Sequence, residues 1–131
     1  MFIDASALTA LLADESDARE LLARLSQSNT RLTSPLAVWE ATIAVARVLG
    51  LTIGETADAL ERYLELMEIT VVAVPPEAAR IALEAFDRYG KGRHPARLNF
   101  GDCFAYACAR HLAEPLMFKG ADFPQTDIEA G

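Results

Sequence analysis

The sequence predicts an α/β domain whose central sheet is mainly parallel and flanked by helices. Short apolar or β-branched runs alternate with helix-length amphipathic segments along the 131 residues, an order typical of strand–helix–strand units. No internal repeat, low-complexity tract or linker divides the chain, so one domain covering residues 1–131 is expected. Ligands of such sheets bind beyond the C-terminal ends of the strands. The residues that follow each strand are therefore the first candidates for a site.

The N-terminal half is predicted to contain two strands and three helices. A short strand, Phe2–Ile3, opens the chain, and Ser6 is expected to cap the helix that follows it. Apolar residues spaced three and four positions apart predict an amphipathic helix over 15–26. A second strand at 31–33 leads into a helix over 36–49, which a Ser-Pro pair begins and a glycine ends. Because this helix is apolar nearly all round, it is expected to be buried.

The C-terminal half repeats the alternation of helix and strand. One apolar face predicts a helix over 53–67, and a β-branched run predicts a strand over 69–74. A Pro-Pro pair opens the next helix, which is expected to reach Tyr89. A last helix is predicted over 101–112 and a short buried strand over 116–118.

Composition is that of an ordinary soluble globular protein, with 52% hydrophobic and 24% charged residues. No uncharged stretch approaches the ~20 residues that a membrane span needs. The first residues also lack the basic region of a secretory signal, so a cytoplasmic protein without membrane contact is expected. Cys103 and Cys108 lie five apart in one apolar segment and are expected to be reduced core residues, not a disulfide or zinc pair. Trp39 is likewise expected in the core.

Four carboxylates lie within or just after apolar segments: Asp4, Glu40, Asp102 and Asp122. The first three of these segments contain no lysine or arginine, and burying an unpaired carboxylate is costly. Acids meeting from separate segments would raise one another's pKa values unless a cation neutralised them. Carboxylate and water oxygens suit Mg²⁺ or Mn²⁺, and such an ion can activate a water nucleophile. The sequence therefore predicts that the four acids converge on a divalent-cation site.

Three of the four acids also have a structural interpretation. Asp4 with Ser6 could cap the first helix, Asp102 lies at a helix start where the dipole favours a carboxylate, and Asp122 could form an Asx-turn. Glu40 lies inside a helix between apolar neighbours, where no capping role is open to it.

A basic loop interrupts the otherwise acidic chain. Residues 88–97 contain four basic residues and no acidic one, whereas the net charge of the protein is −7. Such a loop can contact the backbone of a short nucleic-acid segment, or it can simply be solvated, and both interpretations stay open. The candidates for phosphate contact are Arg93, His94 and Arg97. Lys119 could reach a phosphate or pair with an acid of the site.

Four segments carry a resemblance to a known family: MFIDASAL, VWEATIAV, NFGDCFAYACA and LMFKGADFPQTDI. Together, in this order and over essentially the whole chain, they resemble the PIN-domain family and, within it, the VapC-type toxin ribonucleases of bacterial toxin–antitoxin pairs. The resemblance implies that an acidic cluster binds Mg²⁺ or Mn²⁺ and cleaves RNA phosphodiester bonds. It also implies a homodimer and a cognate antitoxin whose tail blocks the active-site groove.

Transferred residue by residue, the resemblance assigns metal binding and catalysis to the same four acids: Asp4, Glu40, Asp102 and Asp122. Asp127 is the alternative for the fourth acid, and Asp122 is preferred because it follows the strand sooner. The family also uses a small hydroxyl near the first aspartate, here Ser6. Thr126 is expected to act similarly, and Asp127 to support the site or serve a turn.

Three rival functions remain. A phosphotransferase with Asp4 as nucleophile would need a second aspartate two residues later, where the chain has Ser6. A response-regulator receiver would need a phosphoacceptor aspartate after the third strand, where Pro75 and Pro76 stand. The third rival is a PIN-like module kept only for interactions, and the presence of all four acids argues against it.

Overall fold

A four-stranded sheet forms the centre of the molecule, and every pair of neighbouring strands is parallel. The computed structural model describes all residues, Met1–Gly131. The sheet has the order β3-β2-β1-β4, with strands β1 Phe2–Ile3, β2 Leu32–Thr33, β3 Thr70–Val71 and β4 Leu116–Met117. The predicted fold class is confirmed, although each strand except the first is shorter than the sequence pattern predicts.

Six helices and one turn of 3₁₀-helix (Phe123–Gln125) connect and follow the strands. The helices are α1 Ala5–Leu12, α2 Ala18–Ser26, α3 Pro35–Leu49, α4 Ile53–Leu66, α5 Ala78–Tyr89 and α6 Phe100–His111. Each predicted helix is present, and the largest error in a boundary is the start of α2, three residues later than predicted. None of the six is long and apolar enough to cross a membrane alone; α3 and α4 would reach that length only as a pair, bent by 119°.

Helices cover both faces of the sheet, and alternate strand residues point to opposite sides. Ile3 and Met117 belong to a core that includes residues of the first four helices. Phe2 and Leu116 belong to a second core, which includes residues of α5 and α6. All four of these strand side chains have no exposed surface. Two-sided burial explains why the central strands read as continuous apolar runs in the sequence.

Three expectations from the sequence are wrong, and two of them concern α3. The start of α1 is capped by Asp4, not by Ser6, because the Asp4 carboxylate accepts a hydrogen bond from the Ser6 amide. The second error concerns α3, which is not buried all round: the side chain of Trp39 is 65% exposed and that of Val48 60%. This helix packs against α1, α4 and α6, and the chain supplies no element to cover its outer face. Trp39 is thus a surface residue, not a core residue.

Local signals at the helix ends determine where the functional residues lie. The Ser34 hydroxyl accepts a hydrogen bond from the Ala37 amide and Pro35 occupies the first position of α3, which confirms the predicted start of this helix. The helix ends at Gly50, whose φ of 65° is left-handed. Asn99 and the third residue of α6, Asp102, exchange side-chain and backbone hydrogen bonds in a capping box.

Candidate active site

Three of the four predicted acids line one cleft with a volume of about 340 Å³. Asp4 follows β1 directly, Glu40 lies in the second turn of α3, and Asp102 lies in the first turn of α6. The rest of the lining consists of Ala5, Ser6, Thr9, Glu15, Ala44 and Lys119. Two helices and the C-terminal end of a central strand thus bring three acids from distant parts of the chain together, whereas Asp122 does not line the cleft.

Asp4 is the most deeply buried of the acids, with 5% of its surface exposed. Its Oδ2 atom accepts hydrogen bonds from the Ser6 amide (3.1 Å) and the Ser6 hydroxyl (2.6 Å). Burial raises the pKa of Asp4, and the two bonds from Ser6 oppose that rise. The Ser6 hydroxyl oxygen in turn accepts a hydrogen bond from the Lys119 amide, 3.0 Å away. The hydroxyl predicted to support the site therefore orients the Asp4 carboxylate.

Glu40 has neither a hydrogen bond nor an ion pair to stabilise its charge. Burial raises the pKa of Glu40 to about 7, and the charges of Asp4 and Asp102 add to the rise. Its carboxylate lies against Gly101, where an added β-carbon would be 2.0 Å from Glu40 Oε1. Glu40 is therefore a carboxylate held among other carboxylates without a compensating cation.

Asp102 combines the two roles that the sequence left open. Its Oδ2 atom accepts a hydrogen bond from the Asn99 amide at 3.0 Å, and its own amide donates to Asn99 Oδ1 at 2.9 Å. Burial raises the pKa of Asp102 to about 6; the Asn99 hydrogen bond lowers it, and the charges of Asp4 and Asp122 raise it further. Asp102 both completes the capping box of α6 with Asn99 and belongs to the acidic cleft.

The two candidates for the fourth acid have different surroundings. Asp122 is exposed, and its charge lies near enough to Asp102 to raise the pKa of that carboxyl. Asp127 instead accepts hydrogen bonds from the Tyr106 hydroxyl at 2.6 Å and from Arg110 at 2.5 Å. Of the two candidates, Asp122 is thus the one whose charge acts on the acidic cleft. Its position after an apolar run suggested a buried side chain, but the side chain is exposed.

Thr126 makes only local contacts and does not line the cleft. Its hydroxyl donates to the Phe123 carbonyl at 2.7 Å and accepts from the Ile128 amide at 3.2 Å. These bonds close the turn that follows the 3₁₀-helix. Thr126 and Asp127 therefore stabilise the C-terminal segment, and neither contacts an acid of the cleft.

The basic loop lines a hollow of its own, of about 520 Å³, which shares no residue with the acidic cleft. Arg93 pairs with Asp87 at 3.0 Å. His94 Nδ1 accepts a hydrogen bond from the Ala96 amide at 3.0 Å, and its ring meets that of Tyr89 edge-on. Arg97 is exposed and forms no ion pair. Of the three residues predicted to contact phosphates, Arg97 is therefore the one whose charge is exposed and not paired with an acid.

The donor set of the cleft fits a hard divalent cation. All of its acidic side chains offer oxygen atoms. The pKa values of Glu40 and Asp102 are raised by burial first and then by the charges of neighbouring acids, with no cation to offset either effect. The two cysteines are buried and free, as predicted, so no thiolate competes. No three acidic side chains hold their oxygens close enough together to ligate one ion in this conformation. Joint ligation therefore requires rotation of some of these side chains.

Two features of the cleft were not found from the sequence. One is Gly101, which admits the Glu40 carboxylate; the only available signal was a glycine directly before an acid at a helix start. The other is the identity of the acids that pair with Lys119, which are Glu15 and Asp17. Glu15 lies 104 residues before Lys119 in the sequence, so no local pattern links these acids to Lys119.

Comparison with known proteins identifies the family. Residues 1–129 match the PIN domain. Ribonuclease VapC30 of Mycobacterium tuberculosis is 41% identical over 128 residues, which cover 98% of this chain and 95% of that protein. Ribonuclease VapC of Mycolicibacterium smegmatis is 41% identical over 130 residues, covering 99% of this chain and 98% of that protein.

A solved structure agrees with the fold. The crystal structure of Mycobacterium tuberculosis VapC20, a Sarcin-Ricin loop cleaving toxin, matches with a TM-score of 0.76 over 97% of this chain and 95% of that chain, at 19% identity. The likeness to this structure supports the fold, and the sequence relatives support the assignment within it. The chain belongs to the PIN-domain family and, within it, to the VapC-type toxin ribonucleases.

Proposed function

We propose that the acidic cleft hydrolyses RNA phosphodiester bonds with a divalent cation, Mg²⁺ or Mn²⁺, as its cofactor. The observation that carries this proposal is the state of Glu40, a carboxylate with no cationic partner that shares a cleft with Asp4 and Asp102. Repulsion of this kind is costly unless a cation relieves it. The ribonuclease activity named for the sequence relatives supports RNA as the substrate.

The cation would be held by Asp4, Glu40 and Asp102, with Asp122 completing the site from its exposed side. When bound, such an ion lowers the pKa of a water molecule and stabilises negative charge on a phosphoryl oxygen. The protein supplies the arrangement of the acids. Ser6 fixes the orientation of the Asp4 carboxylate, and Asn99 fixes that of Asp102.

The basic loop is the proposed contact for RNA phosphates outside the cleft. Arg97 is free to bind an anion, whereas Arg93 would first have to leave Asp87. His94 keeps one ring nitrogen engaged with the Ala96 amide, which leaves the other for substrate. Each such contact would bind the RNA backbone and not its bases, so it would add affinity without sequence preference.

The proposed partners are a cognate antitoxin and a second copy of the chain. An antitoxin segment that offers a basic residue to the acidic cleft would neutralise it electrostatically and block RNA. The net charge of −7 favours such a partner. Homodimer formation is the usual arrangement of the family, and size-exclusion chromatography with light scattering would test it.

The decisive experiment incubates the purified chain with structured RNAs in Mg²⁺, Mn²⁺ or EDTA and maps the cut ends. We expect cleavage with either metal and none in EDTA. Asp4→Asn and Asp102→Asn should abolish cleavage and retain the far-UV circular dichroism of the wild type. Glu65→Gln, on the exposed side of α4, is the matched control and should cleave normally.

Three results would contradict the proposal. Cleavage that persists in EDTA would exclude the metal-dependent mechanism. Wild-type-like cleavage by either Asn variant would show that the acidic cleft is not the active site. Absence of cleavage by the folded wild type on every RNA and with both metals would instead favour a PIN-like module kept for interactions.

A further inference from the structure

Lys119 is the only cationic side chain among the residues that line the acidic cleft. It lies two residues beyond β4, on the segment that leads to Asp122. Its ammonium group contacts the Glu15 carboxylate and lies 3.5 Å from Asp17 Oδ1. Both acids belong to the turn between α1 and α2. The pairing therefore joins two segments at the wall of the cleft.

The backbone of Lys119 is fixed relative to the deepest acid. Its amide donates to Ser6 Oγ at 3.0 Å, and the Ser6 hydroxyl donates to Asp4 Oδ2 at 2.6 Å. The side chain, in contrast, is 37% exposed and makes no hydrogen bond other than the one to Glu15. Lys119 thus combines a backbone that is fixed beside Asp4 with an ammonium group that is partly accessible to solvent.

The single ammonium group of Lys119 does not provide a hydrogen bond to every carboxylate oxygen of Glu15 and Asp17. Asp17 Oδ1 is buried and has no hydrogen-bond partner, and its nearest cation is the same Lys119 group. Exposed ion pairs are weak and are screened by salt, so an incoming anion can compete for the ammonium group. The charged residues that line the cleft are four acids and Lys119, so Lys119 is the only cation that an RNA phosphate would meet there.

On the proposed function of the cleft, we propose that Lys119 is a phosphate-binding side chain of the RNA site. Glu15 and Asp17 hold its ammonium group at the wall while the cleft is empty. RNA binding transfers the ammonium from Glu15 to a phosphate oxygen beside the acids. Lys119 is then the direct contact that offsets repulsion between the acidic cleft and the RNA backbone, separate from the basic loop.

The test measures binding of a fluorescein-labelled single-stranded 12-nucleotide RNA by anisotropy in EDTA at several low salt concentrations. Lys119→Met removes the charge and keeps the length of the side chain. We expect about tenfold weaker binding and a slope of log K against log salt that is smaller by about 0.7, the value for one lost phosphate contact on a single strand. Lys119→Arg should restore most of the affinity.

Glu15→Gln tests the transfer of the ammonium group. This variant frees Lys119, so we expect tighter RNA binding than in the wild type. Removing an acid also reduces general repulsion, and the Glu15→Gln/Lys119→Met double variant separates the two effects. The part of the gain that comes from freeing Lys119 should disappear in that background, and only the part that comes from reduced general repulsion should remain. Arg80→Met, which removes an exposed unpaired cation from α5, should leave both affinity and salt slope unchanged.

Steady-state cleavage with Mg²⁺ provides the second readout, in which Lys119→Met should raise KM more than it lowers kcat. The inference is wrong if wild-type protein cleaves RNA while Lys119→Met retains wild-type affinity, salt slope and KM. If Lys119→Met had a lower melting temperature but unchanged RNA affinity, Lys119 would serve only to connect the two segments of the fold. If the wild type neither binds nor cleaves RNA, the proposed function fails, and the role of Lys119 fails with it.

Discussion

The carboxylate of Glu40 packs against the α-carbon of Gly101, although the two residues belong to different helices. A β-carbon on Gly101 would lie 2.0 Å from Glu40 Oε1 and 2.5 Å from Oε2, closer than any real contact. The missing side chain at position 101 is therefore what allows Glu40 to approach the first turn of α6. That approach brings Glu40 near enough to Asp102 for the two charges to interact.

Gly101→Ala should remove this approach without disrupting the fold. The clashing atoms are the end of a flexible side chain, so the Glu40 carboxylate will move instead of the helix. Misplacing a catalytic group by about 1 Å can cost ~100-fold in rate, and we expect a loss of that order in RNA cleavage. The melting temperature should stay the same or rise, because alanine is favoured over glycine inside a helix.

Gly54→Ala is the matched control for this change. Gly54 is the second residue of α4, as Gly101 is of α6, but an added β-carbon there would have nothing within 4 Å. The control should cleave RNA like the wild type and gain about 0.4–1 kcal/mol in unfolding free energy. Equal activity of the two alanine variants would show that the position of Glu40 does not matter for cleavage.

Two substitutions of Asp102 should separate its two roles. Asn retains an oxygen that can accept the hydrogen bond from the Asn99 amide but carries no charge, so Asp102→Asn should lose cleavage. Its stability at neutral pH should stay the same or rise, because the raised pKa of Asp102 shows that the charge is unfavourable in the folded state. Asp102→Ala loses the hydrogen bond as well and should be less stable than Asp102→Asn by about 0.5–2 kcal/mol. Urea denaturation and the RNA assay provide the two readouts. A marked loss of stability in Asp102→Asn would indicate that the charge serves mainly the helix.

The sequence predicted the parts of the site that depend on local patterns. The position of Asp4 followed from a strand that ends one residue earlier. The position of Glu40 was predicted because it is the only charge in an apolar helix. The position of Asp102 was predicted because it lies at the start of a helix. Parallel strands end at one edge, which is why acids from distant segments could be expected to meet.

The remaining features depend on neighbours that no local pattern specifies. The apolar pattern of α3 shows which of its faces could be buried, but the exposure of Trp39 follows from the absence of a covering element. The distinction between Asp122 and Asp127 follows from Tyr106 and Arg110, which reach Asp127 from α6. The pairing of Lys119 with Glu15 likewise could be recognised only from the three-dimensional structure, because the two residues are 104 positions apart in the sequence.

Glu40→Gln should stabilise the metal-free protein. The pKa of Glu40 is raised to about 7, by burial first and then by Asp4 and Asp102, so its charge is unfavourable in the folded state. The neutral amide removes both the cost of burying the charge and the repulsion from Asp4 and Asp102. After allowance for solvent screening of a half-buried group, we expect about 3–5 °C in melting temperature, or roughly 1 kcal/mol, in EDTA at pH 8.

Glu65→Gln is the control for this effect, because Glu65 is exposed on α4; its melting temperature should not change. Addition of Mg²⁺ should raise the melting temperature of the wild type more than that of Glu40→Gln, since a bound cation stabilises the folded state by mass action. A Glu40→Gln variant that melts below the wild type in EDTA would mean that the charge has a favourable partner.

The charge of Asp127 should stabilise the fold, whereas the charges of the cleft acids destabilise it. The contribution of Asp127 should therefore be lost at low pH. Burial acts to raise its pKa, but the Tyr106 hydrogen bond and the charges of Arg110 and Arg88 outweigh burial and lower the pKa below its ordinary value of 3.8. An acid whose folded pKa is lowered contributes stability above its unfolded pKa, and this contribution is lost as pH falls through the folded pKa. Asp127→Asn should therefore reduce the unfolding free energy at pH 7, and the difference from the wild type should shrink below about pH 4.

The size of the Asp127 effect is limited by solvent, because the Arg110 and Asp127 side chains are 44% and 38% exposed. Exposed pairs contribute about 0–1 kcal/mol, so a loss near the top of that range is expected at pH 7. Urea denaturation at pH 7 and pH 3 would measure it. Asp58→Asn, at an exposed position on α4 without an ion pair, should show no difference at either pH. A loss that is equally large at pH 3 would mean that Asp127 acts by packing, because protonation removes the charge that Arg110 stabilises.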